Sequence, residues 1–454
     1  MTTASEERGG SEIGSTREAL RALSAASIGN FVEWYDFAIY SYSVPIIATI
    51  FFPPGDRTTA VIAAFALYGV AFLARPLGGV FWGNLGDKVG RRNTLAAVIL
   101  IMGGATMLIG LLPTYDTIGL LAPTLLAVLR LVQGFSGGGE FTGSTSFITE
   151  YAPENRRGLY AATSATFTTL PSILGGLTVL AFTAALPEDA YASWGWRIPF
   201  LIGGPLALVG LFIRLRMQET PAFRRIERAE HVEAMPVREA IRDHFKNIML
   251  VFAIASLSGL GAYTIGTYFV TYLVETIGLT QTTAILANSA AFIVSIPLVP
   301  LVGLLGDQIG RKPLLYIGTV GFIVLSVPGY ALAGSGGLGT AILGQLLVVL
   351  PWSFVVSAVV VIQVEIFPTR VRYSGASIGY NAAYMIFGGT APLVATYLVL
   401  QTDSNIAPAI YLVAVAVLVL LVVLALPETS RLSLLREGEG QPEGASLGTT
   451  GGTT

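Results

Sequence analysis

Long apolar stretches separated by short polar segments run through almost the whole chain. A helix needs about 20 mostly apolar residues to cross the hydrocarbon core of a bilayer. Twelve stretches reach this length: 22–52, 58–84, 91–113, 118–149, 156–184, 195–217, 246–275, 281–305, 313–333, 338–366, 373–400 and 406–426. Their apolar residues are continuous rather than alternating, which disfavours a membrane β-barrel. The pattern therefore predicts an all-α integral membrane protein with twelve transmembrane helices.

The composition agrees with lipid as the surrounding solvent. Hydrophobic residues make up 53% of the 454 positions and charged residues only 12%, which is about half of the charged share of an ordinary soluble protein. A net charge of −2 gives no indication of nucleic-acid binding. The chain has no cysteine, so disulfides, thiolate metal sites and cysteine catalysis are excluded.

The positions of lysine and arginine predict the orientation of the spans. If the chain starts in the cytoplasm and alternates, all 26 cationic residues except four fall in cytoplasmic segments. Arg57 and Arg197 lie in outside loops, and Arg75 and Arg130 lie within spans. Because cytoplasmic loops are enriched in Lys and Arg, we predict a multi-pass protein of the cell membrane with both termini cytoplasmic. Residues 1–21 and 431–454 are predicted to be disordered cytoplasmic tails.

Three polar landmarks occur twice, at nearly the same offset. The loop G-N-L-G-D-K-V-G-R-R at 83–92 matches G-L-L-G-D-Q-I-G-R-K at 303–312, 220 residues later. The E-x-x-P-x-x-x-R pattern at 150–157 returns at 365–372, and the pair Glu219-Thr220 returns as Glu428-Thr429. A repeat at one period predicts two six-helix halves, 22–217 and 246–430. The charged segment 218–245 is predicted to link them in the cytoplasm.

The duplicated G-x-x-x-D-x-x-G-R-R/K loop resembles the signature of the major facilitator superfamily, and L-x-x-x-R-x-x-Q-G at 126–134 resembles a second motif of that superfamily. Further segments resemble its metabolite:proton symporters: E-W-Y-D-F at 33–37, R-P-L-G-G at 75–79, 133–140, W-G-W-R-I-P-F at 194–200, E-T-P-A-F at 219–223 and 367–374. Segments 115–119 and 141–144 are most similar to the proline/betaine branch. The resemblance implies the major facilitator fold and a secondary transporter, not an enzyme.

Five ionisable residues lie well inside predicted spans, all of them in the first half: Glu33, Asp36, Arg75, Arg130 and Glu140. Each costs roughly 2.5–3.5 kcal/mol at a helix centre, so the alternatives are internal salt bridges that only orient helices or a functional site. Glu33 and Asp36 are three residues apart and share a helix face, where two carboxylates resist ionising together. The resemblance supports Glu33, Asp36 and Glu140 as candidate proton-coupling residues. The five charges sum to −1, so one proton would neutralise the group.

The substrate is expected to bind between the halves. From the first half we predict Arg75, Arg130 and Gln133 as substrate-binding residues. From the second half the candidates are Tyr263, Trp352, Asn381 and Tyr384. Aromatic faces attract ammonium groups through cation–π interactions, although Tyr and Trp also serve as packing residues or interface anchors.

The duplicated loops supply the candidate gating residues Asp87, Arg91, Arg92, Asp307 and Arg311. Positive charge in these loops could serve topology alone. The resemblance instead implies that Asp87 meets the N-terminus of a second-half helix and that the arginines fix this contact. Helix N-termini favour anions, so the contact is physically reasonable.

The remaining chemistry is limited. The histidines, His231 and His244, lie in the linker, so we expect neither a histidine proton relay nor a metal site. No phosphate-binding loop occurs, and we expect no cofactor, with the proton gradient as the energy source. The predicted function is proton-driven uptake of a zwitterion such as proline or glycine betaine by a monomer. The alternatives are an organic acid held by Arg75 and Arg130 (a di- or tricarboxylate, 2-oxoglutarate or a shikimate-like acid), a channel or substrate sensor without coupled flux, and a drug exporter.

Overall fold

The computed structural model describes residues 16–55, 57–228, 233–430, 432 and 434, and in this part of the chain it contains helices joined by short loops and no strand. Twelve long helical segments follow one another there: α1 Thr16–Ile50, α2 Arg57–Val89, α3 Arg91–Leu111, α4 Leu121–Tyr151, α5 Arg157–Thr166 with Leu170–Ala185, α6 Arg197–Leu215, α7 Phe245–Thr276, α8 Gln281–Ile309, α9 Arg311–Ala333, α10 Leu338–Glu365, α11 Arg372–Ala383 continued by Tyr384–Gly388 and Ala391–Thr402, and α12 Ala407–Ala425. The all-α class is confirmed. The helix bounds agree with the apolar stretches within a few residues, because a helix that crosses the hydrocarbon core needs an apolar stretch of about its own length.

Nine of these segments are long and apolar enough to cross a membrane when only the described residues are considered. The other three are α1, α2 and α4, and they carry the five central ionisable residues. The count of twelve transmembrane helices stays a prediction. α1 begins at Thr16, so the expectation of a disordered segment up to residue 21 was wrong for 16–21. The rest of that tail, His231, and the C-terminal tail apart from residues 432 and 434 lie outside the described residues.

Three of the predicted spans are not continuous helices. α5 is interrupted at 167–169, just before Pro171, because proline lacks the N–H that would continue the helix and restricts the residue before it. α7 and α11 contain wide turns of π-helical geometry, at Thr264–Tyr268 and Tyr272–Thr276 in α7 and at Tyr384–Gly388 in α11. Such turns are frequent at functional sites, and two predicted site residues, Tyr263 and Tyr384, lie directly at them.

The two halves contact each other mainly through α2 against α11 and through α5 against α8. Small residues allow close approach: a side chain at Gly158 on α5 would overlap the backbone of Gly303 on α8. Within the first half, a side chain at Gly134 or Gly138 of α4 would overlap the backbone of α2. The glycine-rich part of α4 therefore packs tightly beside the predicted site.

The charged segment 218–245, which was predicted to link the halves, contains regular secondary structure. It forms two short helices, Pro221–Arg228 and Pro236–Asp243. Phe223 and Ala240 are buried, and Glu239 accepts a hydrogen bond of 2.6 Å from Arg370, which directly precedes α11. The linker thus packs against α2 of the first half and against α7 and α11 of the second half.

Candidate functional site

Asp36 lies at the centre of a buried polar network formed by α1, α3 and α4. Thr106 donates a hydrogen bond of 2.9 Å to its carboxylate, and Gln133 donates another. The Arg130 guanidinium lies 3.7 Å from the second carboxylate oxygen and donates to Gln133 at 2.9 Å. Arg130 also donates to the backbone carbonyl of Tyr68. Asp36, Arg130 and Gln133 were predicted; Thr106 was not, since a threonine in an apolar span gives no signal in the sequence.

Glu33, one helical turn away, has a much simpler environment. It forms an ion pair with Arg75 of α2. Apart from Arg75, neither carboxylate oxygen of Glu33 has a hydrogen-bond partner among the described residues. Both side chains are buried. The two span-one carboxylates therefore face different arginines and are neutralised separately.

Aromatic rings that the sequence analysis did not single out surround the two arginines. The Phe37 ring lies between them, with its centroid 5.2 Å from the Arg75 guanidinium carbon and 4.9 Å from that of Arg130. Phe72 covers Arg75 at 5.4 Å. Tyr40 and Tyr68 cover Arg130 at 4.3 and 5.5 Å. These distances are within the range of cation–π attraction.

Glu140 has its own counter-ion, which the sequence analysis counted among the cytoplasmic cations. Arg214 of α6 forms a buried two-pronged ion pair with Glu140, with one N–O distance of 2.8 Å. Arg214 is further held by the backbone carbonyls of Leu95 and Ala25. Three acids thus meet three arginines, and the summed charge is zero. The expected excess of one negative charge was wrong because Arg214 was left out.

The second-half candidates lie against this first-half site, in two groups. Tyr263 packs edge-on against Phe72, with 5.6 Å between ring centroids, and against Tyr384 at 6.3 Å. The Tyr263 side chain also interacts with Arg75, but among the described residues its hydroxyl has no partner with full hydrogen-bond geometry. Tyr384 stacks on Tyr380 at 4.1 Å, and Tyr380 stacks on Phe141 of α4 at 4.8 Å. A continuous aromatic contact therefore joins the halves beside Arg75, and Tyr380 is a neighbour that sequence reasoning missed.

Asn381 and Trp352 are placed differently. Asn381 donates a hydrogen bond of 2.7 Å to the carbonyl of Gly138 on α4 and so connects the halves. Trp352 donates to the backbone carbonyl of Ser258 on α7 at 3.1 Å, a contact within the second half. The Ser258 hydroxyl lies 3.2 Å from that of Tyr384. Trp352 is therefore connected to Tyr384 only indirectly, through Ser258.

Asp87 joins the halves at the end of the bundle that is predicted to face the cytoplasm. Its carboxylate accepts hydrogen bonds from the backbone N–H groups of Tyr373 and Ser374, at 3.2 and 2.8 Å, in the first turn of α11. The Arg91 guanidinium lies 3.0 Å from Asp87 and 3.5 Å from Glu150. This is the contact with a second-half helix N-terminus that the resemblance implied; its gating role stays a prediction.

The same arrangement occurs in the other duplicated loop. Asp307 accepts hydrogen bonds from the backbone N–H groups of Gly158 and Leu159, at 2.7 and 2.9 Å, in the first turn of α5. Arg311 lies 2.8 Å from Asp307 and 3.4 Å from Glu365. Each half thus offers one carboxylate to the N-terminus of a helix in the other half, where the macrodipole favours negative charge.

Arg92, also predicted as a gating residue, does not reach the contact between the halves. Its backbone N–H donates to Glu219 at 3.0 Å, and its side chain donates to the carbonyl of Leu215 at the end of α6. In the second half Glu428 accepts from the N–H groups of Arg311 and Lys312. The third duplicated landmark therefore caps the N-termini of α3 and α9. Burial raises the pKa of Glu219 despite these hydrogen bonds.

Metal binding has no candidate group within residues 16–55, 57–228 and 233–430, where no cluster of three or more His, Cys, Asp or Glu side chains occurs. The chemistry of the site is that of carboxylates, guanidinium groups, hydroxyls and aromatic faces. Such a set can bind a proton, a carboxylate and an ammonium group.

Comparison with known proteins gives one consistent family. The family described as Major Facilitator Superfamily matches residues 26–379 and 251–448. The glycine betaine/proline/ectoine/pipecolic acid transporter OusA of Dickeya dadantii is 36% identical over 423 residues, which are 91% of this chain and 84% of OusA. The proline/betaine transporter of Escherichia coli is 34% identical with the same coverage. The ectoine/proline transporter ProP of Corynebacterium glutamicum is 34% identical over 91% of this chain and 85% of its own.

A solved structure shows the same fold. XylE, a major facilitator superfamily proton:xylose symporter bound to 6-bromo-6-deoxy-D-glucose, superposes with a TM-score of 0.75 at 19% sequence identity. The superposition covers 91% of this chain and 97% of XylE. At this identity the likeness concerns the fold.

Proposed function

Because the chain belongs to the major facilitator superfamily, a family of multi-pass membrane transporters and not of enzymes, we propose that it imports a small zwitterion together with protons. Proline and glycine betaine are the proposed substrates, as the names of the relatives suggest. The protein is proposed to act as a monomer in the cell membrane. The proton gradient is the proposed energy source, and no cofactor takes part.

One observation carries the choice of a zwitterion: each buried acid of the site already has its own arginine. The pairs are Glu33 with Arg75, Asp36 with Arg130, and Glu140 with Arg214, so the site has no net charge. An uncompensated ion is costly to bury, whereas a zwitterion adds none. Its carboxylate suits a guanidinium group, and its ammonium group suits the carboxylates and aromatic faces beside it.

The organic-acid alternative rests on two arginines of the site, Arg75 and Arg130. A di- or tricarboxylate would bring two or three negative charges to a site whose arginines are already neutralised. It would therefore need more than one proton to enter. The alternative remains a second candidate for the test below.

Alternating access is proposed to use the cytoplasmic contacts made by Asp87 and Asp307. Both must break if the halves are to separate on that side. A channel or a sensor would not need two such releasable contacts. The membrane potential supplies roughly 2.3 kcal/mol per charge per 100 mV, which is enough to concentrate a solute moderately.

Uptake into proteoliposomes tests this proposal. Purified protein is reconstituted, a pH gradient is imposed, and labelled proline and glycine betaine are compared with succinate, citrate and shikimate. We expect at least one zwitterion to accumulate against its gradient, and accumulation to disappear with an uncoupler. Accumulation of only the organic acids would favour the second candidate, and flux that ignores the pH gradient would favour a channel.

Two span-one variants connect the assay to the site. Neutralising the carboxylate that carries the coupled proton, by Glu33→Gln or by Asp36→Asn, should abolish accumulation driven by the pH gradient. At least one of the two variants should retain exchange between equal internal and external pools, because exchange needs no net proton movement. Glu227→Gln, on the exposed side of a linker helix, is the matched control and should accumulate normally. If both span-one variants accumulate substrate, the proton site lies elsewhere, with Glu140 the next candidate.

A further inference from the structure

The three ion pairs of the site differ in how firmly the arginine is held. Arg214 is anchored by the backbone carbonyls of Leu95 and Ala25 in addition to Glu140. Arg130 is anchored by Gln133 and by the carbonyl of Tyr68. Arg75 has no backbone carbonyl as a partner among the described residues; its Nε is buried without a hydrogen bond, as is that of Arg130. Of the three guanidinium groups, that of Arg75 is therefore the one most easily exchanged to a new partner.

The three acids differ in how many partners hold them, and their order is the same as that of their arginines. The two Glu140 oxygens both bind Arg214. Asp36 keeps Thr106 and Gln133 even if Arg130 moves. Glu33 depends on Arg75 alone. A buried carboxylate that loses its only counter-ion pays a large desolvation cost in the charged form and becomes neutral by binding a proton.

Arg75 is also the guanidinium group that faces the second half. Tyr263 of α7 interacts with it directly, and Phe72, which covers it, packs on Tyr263. On the α4 side the Glu33–Arg75 pair is bordered by Gly137, where an added Cβ would lie 3.3 Å from both side chains. A ligand between the halves would therefore meet Arg75 from the Tyr263 side.

These observations lead to an exchange of partners. Resting on the proposed function, we propose that the carboxylate of the zwitterion displaces Glu33 from Arg75, and that the freed Glu33 takes up the coupled proton. The Arg75–Glu33 ion pair breaks, an ion pair between Arg75 and the substrate forms, and one proton passes from water to Glu33. The loaded carrier then holds one more positive charge than the empty one. Asp36 and Arg130 act as a fixed pair that positions α1 against α4.

The other charged and titratable groups of the site do not compete for this role. They are Tyr35 and Asp36 on α1, Tyr68 on α2, Arg130 and Glu140 on α4, Arg214 on α6, Tyr263 on α7, and Tyr380 and Tyr384 on α11. Each of the acids among them keeps its own arginine when substrate binds. Because only Glu33 loses its arginine, one proton is taken up with each substrate molecule.

Binding measured as a function of pH tests the exchange. If one proton enters with each substrate, the Kd of purified wild-type protein for glycine betaine rises about tenfold per pH unit above neutrality. In Glu33→Gln this slope disappears, and at about pH 9 the Kd is equal to or lower than that of the wild type, because Arg75 no longer has a competing carboxylate. Damage to the site would instead weaken binding at every pH. Asp36→Asn binds more weakly but keeps the slope.

A pH slope of the Kd that is retained in Glu33→Gln, or lost in Asp36→Asn, overturns the exchange.

A second measurement uses wild-type protein only, in case Glu33→Gln does not fold. Choline has the trimethylammonium group of glycine betaine but no carboxylate, so it cannot draw Arg75 from Glu33. It should compete with constant affinity, or fail to compete, between about pH 6 and pH 9; competition that strengthens tenfold per unit as pH falls contradicts the exchange. Wild-type protein that binds no member of the substrate panel refutes the proposed function itself, whereas normal proton-coupled uptake with an unchanged slope in Glu33→Gln refutes only this inference.

Discussion

Asp87→Asn should open the cytoplasmic side of the protein without destroying the substrate site. The buried Asp87 carboxylate accepts two backbone hydrogen bonds from the first turn of α11 and lies 3.0 Å from Arg91. An asparagine has one acceptor oxygen, so one of the two N–H groups would face the amide NH₂ group and lose its partner. The closed cytoplasmic contact is therefore weakened while the overall shape of the side chain is kept.

The magnitude follows from the charge-assisted character of these bonds. A hydrogen bond to a charged group contributes about 1.5–3 kcal/mol, so losing one and weakening the other should cost the closed state about 2–4 kcal/mol. That corresponds to a shift of roughly 30- to 900-fold toward the state open to the cytoplasm. Transport should slow, because closing the cytoplasmic side becomes unfavourable. Substrate affinity should change only a few-fold, because Asp87 lies far along α2 from Arg75.

The natural absence of cysteine makes the assay direct. Ser377→Cys places a thiol at a buried position of α11, where the serine hydroxyl lies 2.6 Å from that of Thr142 across the interface. In inverted vesicles an impermeant maleimide should label this thiol at least about tenfold faster when Asp87→Asn is present. Asp116→Asn, on an exposed helix far from the interface, is the control. Equal labelling rates in the two variants, or loss of substrate binding with unchanged labelling, would refute the gating role of Asp87.

Three further predictions follow from other contacts. Glu140→Gln or Arg214→Met alone should lower stability by about 3–5 kcal/mol, because each leaves a buried charge unpaired, and the double variant should unfold at a temperature closer to the wild type in detergent. Backbone hydrogen bonds at the start of α9 outweigh the effect of burial and hold the pKa of Glu428 below its ordinary value; its capping contribution is thus present above the unfolded-state pKa and lost as pH falls through the folded-state one. Glu428→Ala should cost about 0.5–1 kcal/mol, at the low end for a cap because the side chain is exposed, with no cost in strong acid. Single cysteines at the exposed positions Lys88 and Gln308 should react with an impermeant reagent only from the cytoplasmic side. Labelling of either cysteine in intact cells would contradict the predicted orientation of the spans.

The sequence predicted the helices well because apolar length is a direct consequence of bilayer thickness. It did not predict the wide turns at Thr264–Tyr268 and Tyr384–Gly388, since hydropathy does not distinguish one helical geometry from another. The break before Pro171 could have been anticipated, because proline disfavours helix continuation. The contact of Asp87 with α11 was accessible only through the duplicated motif and its resemblance to a family.

The site residues show a similar division. Glu33, Asp36, Arg75 and Arg130 were found because a charge inside an apolar span is rare. Arg214 lies inside the predicted span 195–217, so the same argument could have found it, but it was counted as a topology signal. Phe37 gave no signal, because phenylalanine is common in apolar spans. Its place between two guanidinium groups emerges only when α1, α2 and α4 are packed together.

The duplication explains why closure and coupling can be chemically separate. The contacts between carboxylates and helix N-termini are repeated in both halves: Asp87 meets α11, and Asp307 meets α5 through the same pair of backbone hydrogen bonds. Inside the membrane the repeat is not kept, because the buried ion pairs belong to the first half and the tyrosines Tyr263 and Tyr384 to the second. A symmetric closure therefore brings together two unlike surfaces, one charged and one aromatic. A zwitterion can contact both surfaces at once, with its carboxylate at the arginines and its ammonium group at the aromatic rings.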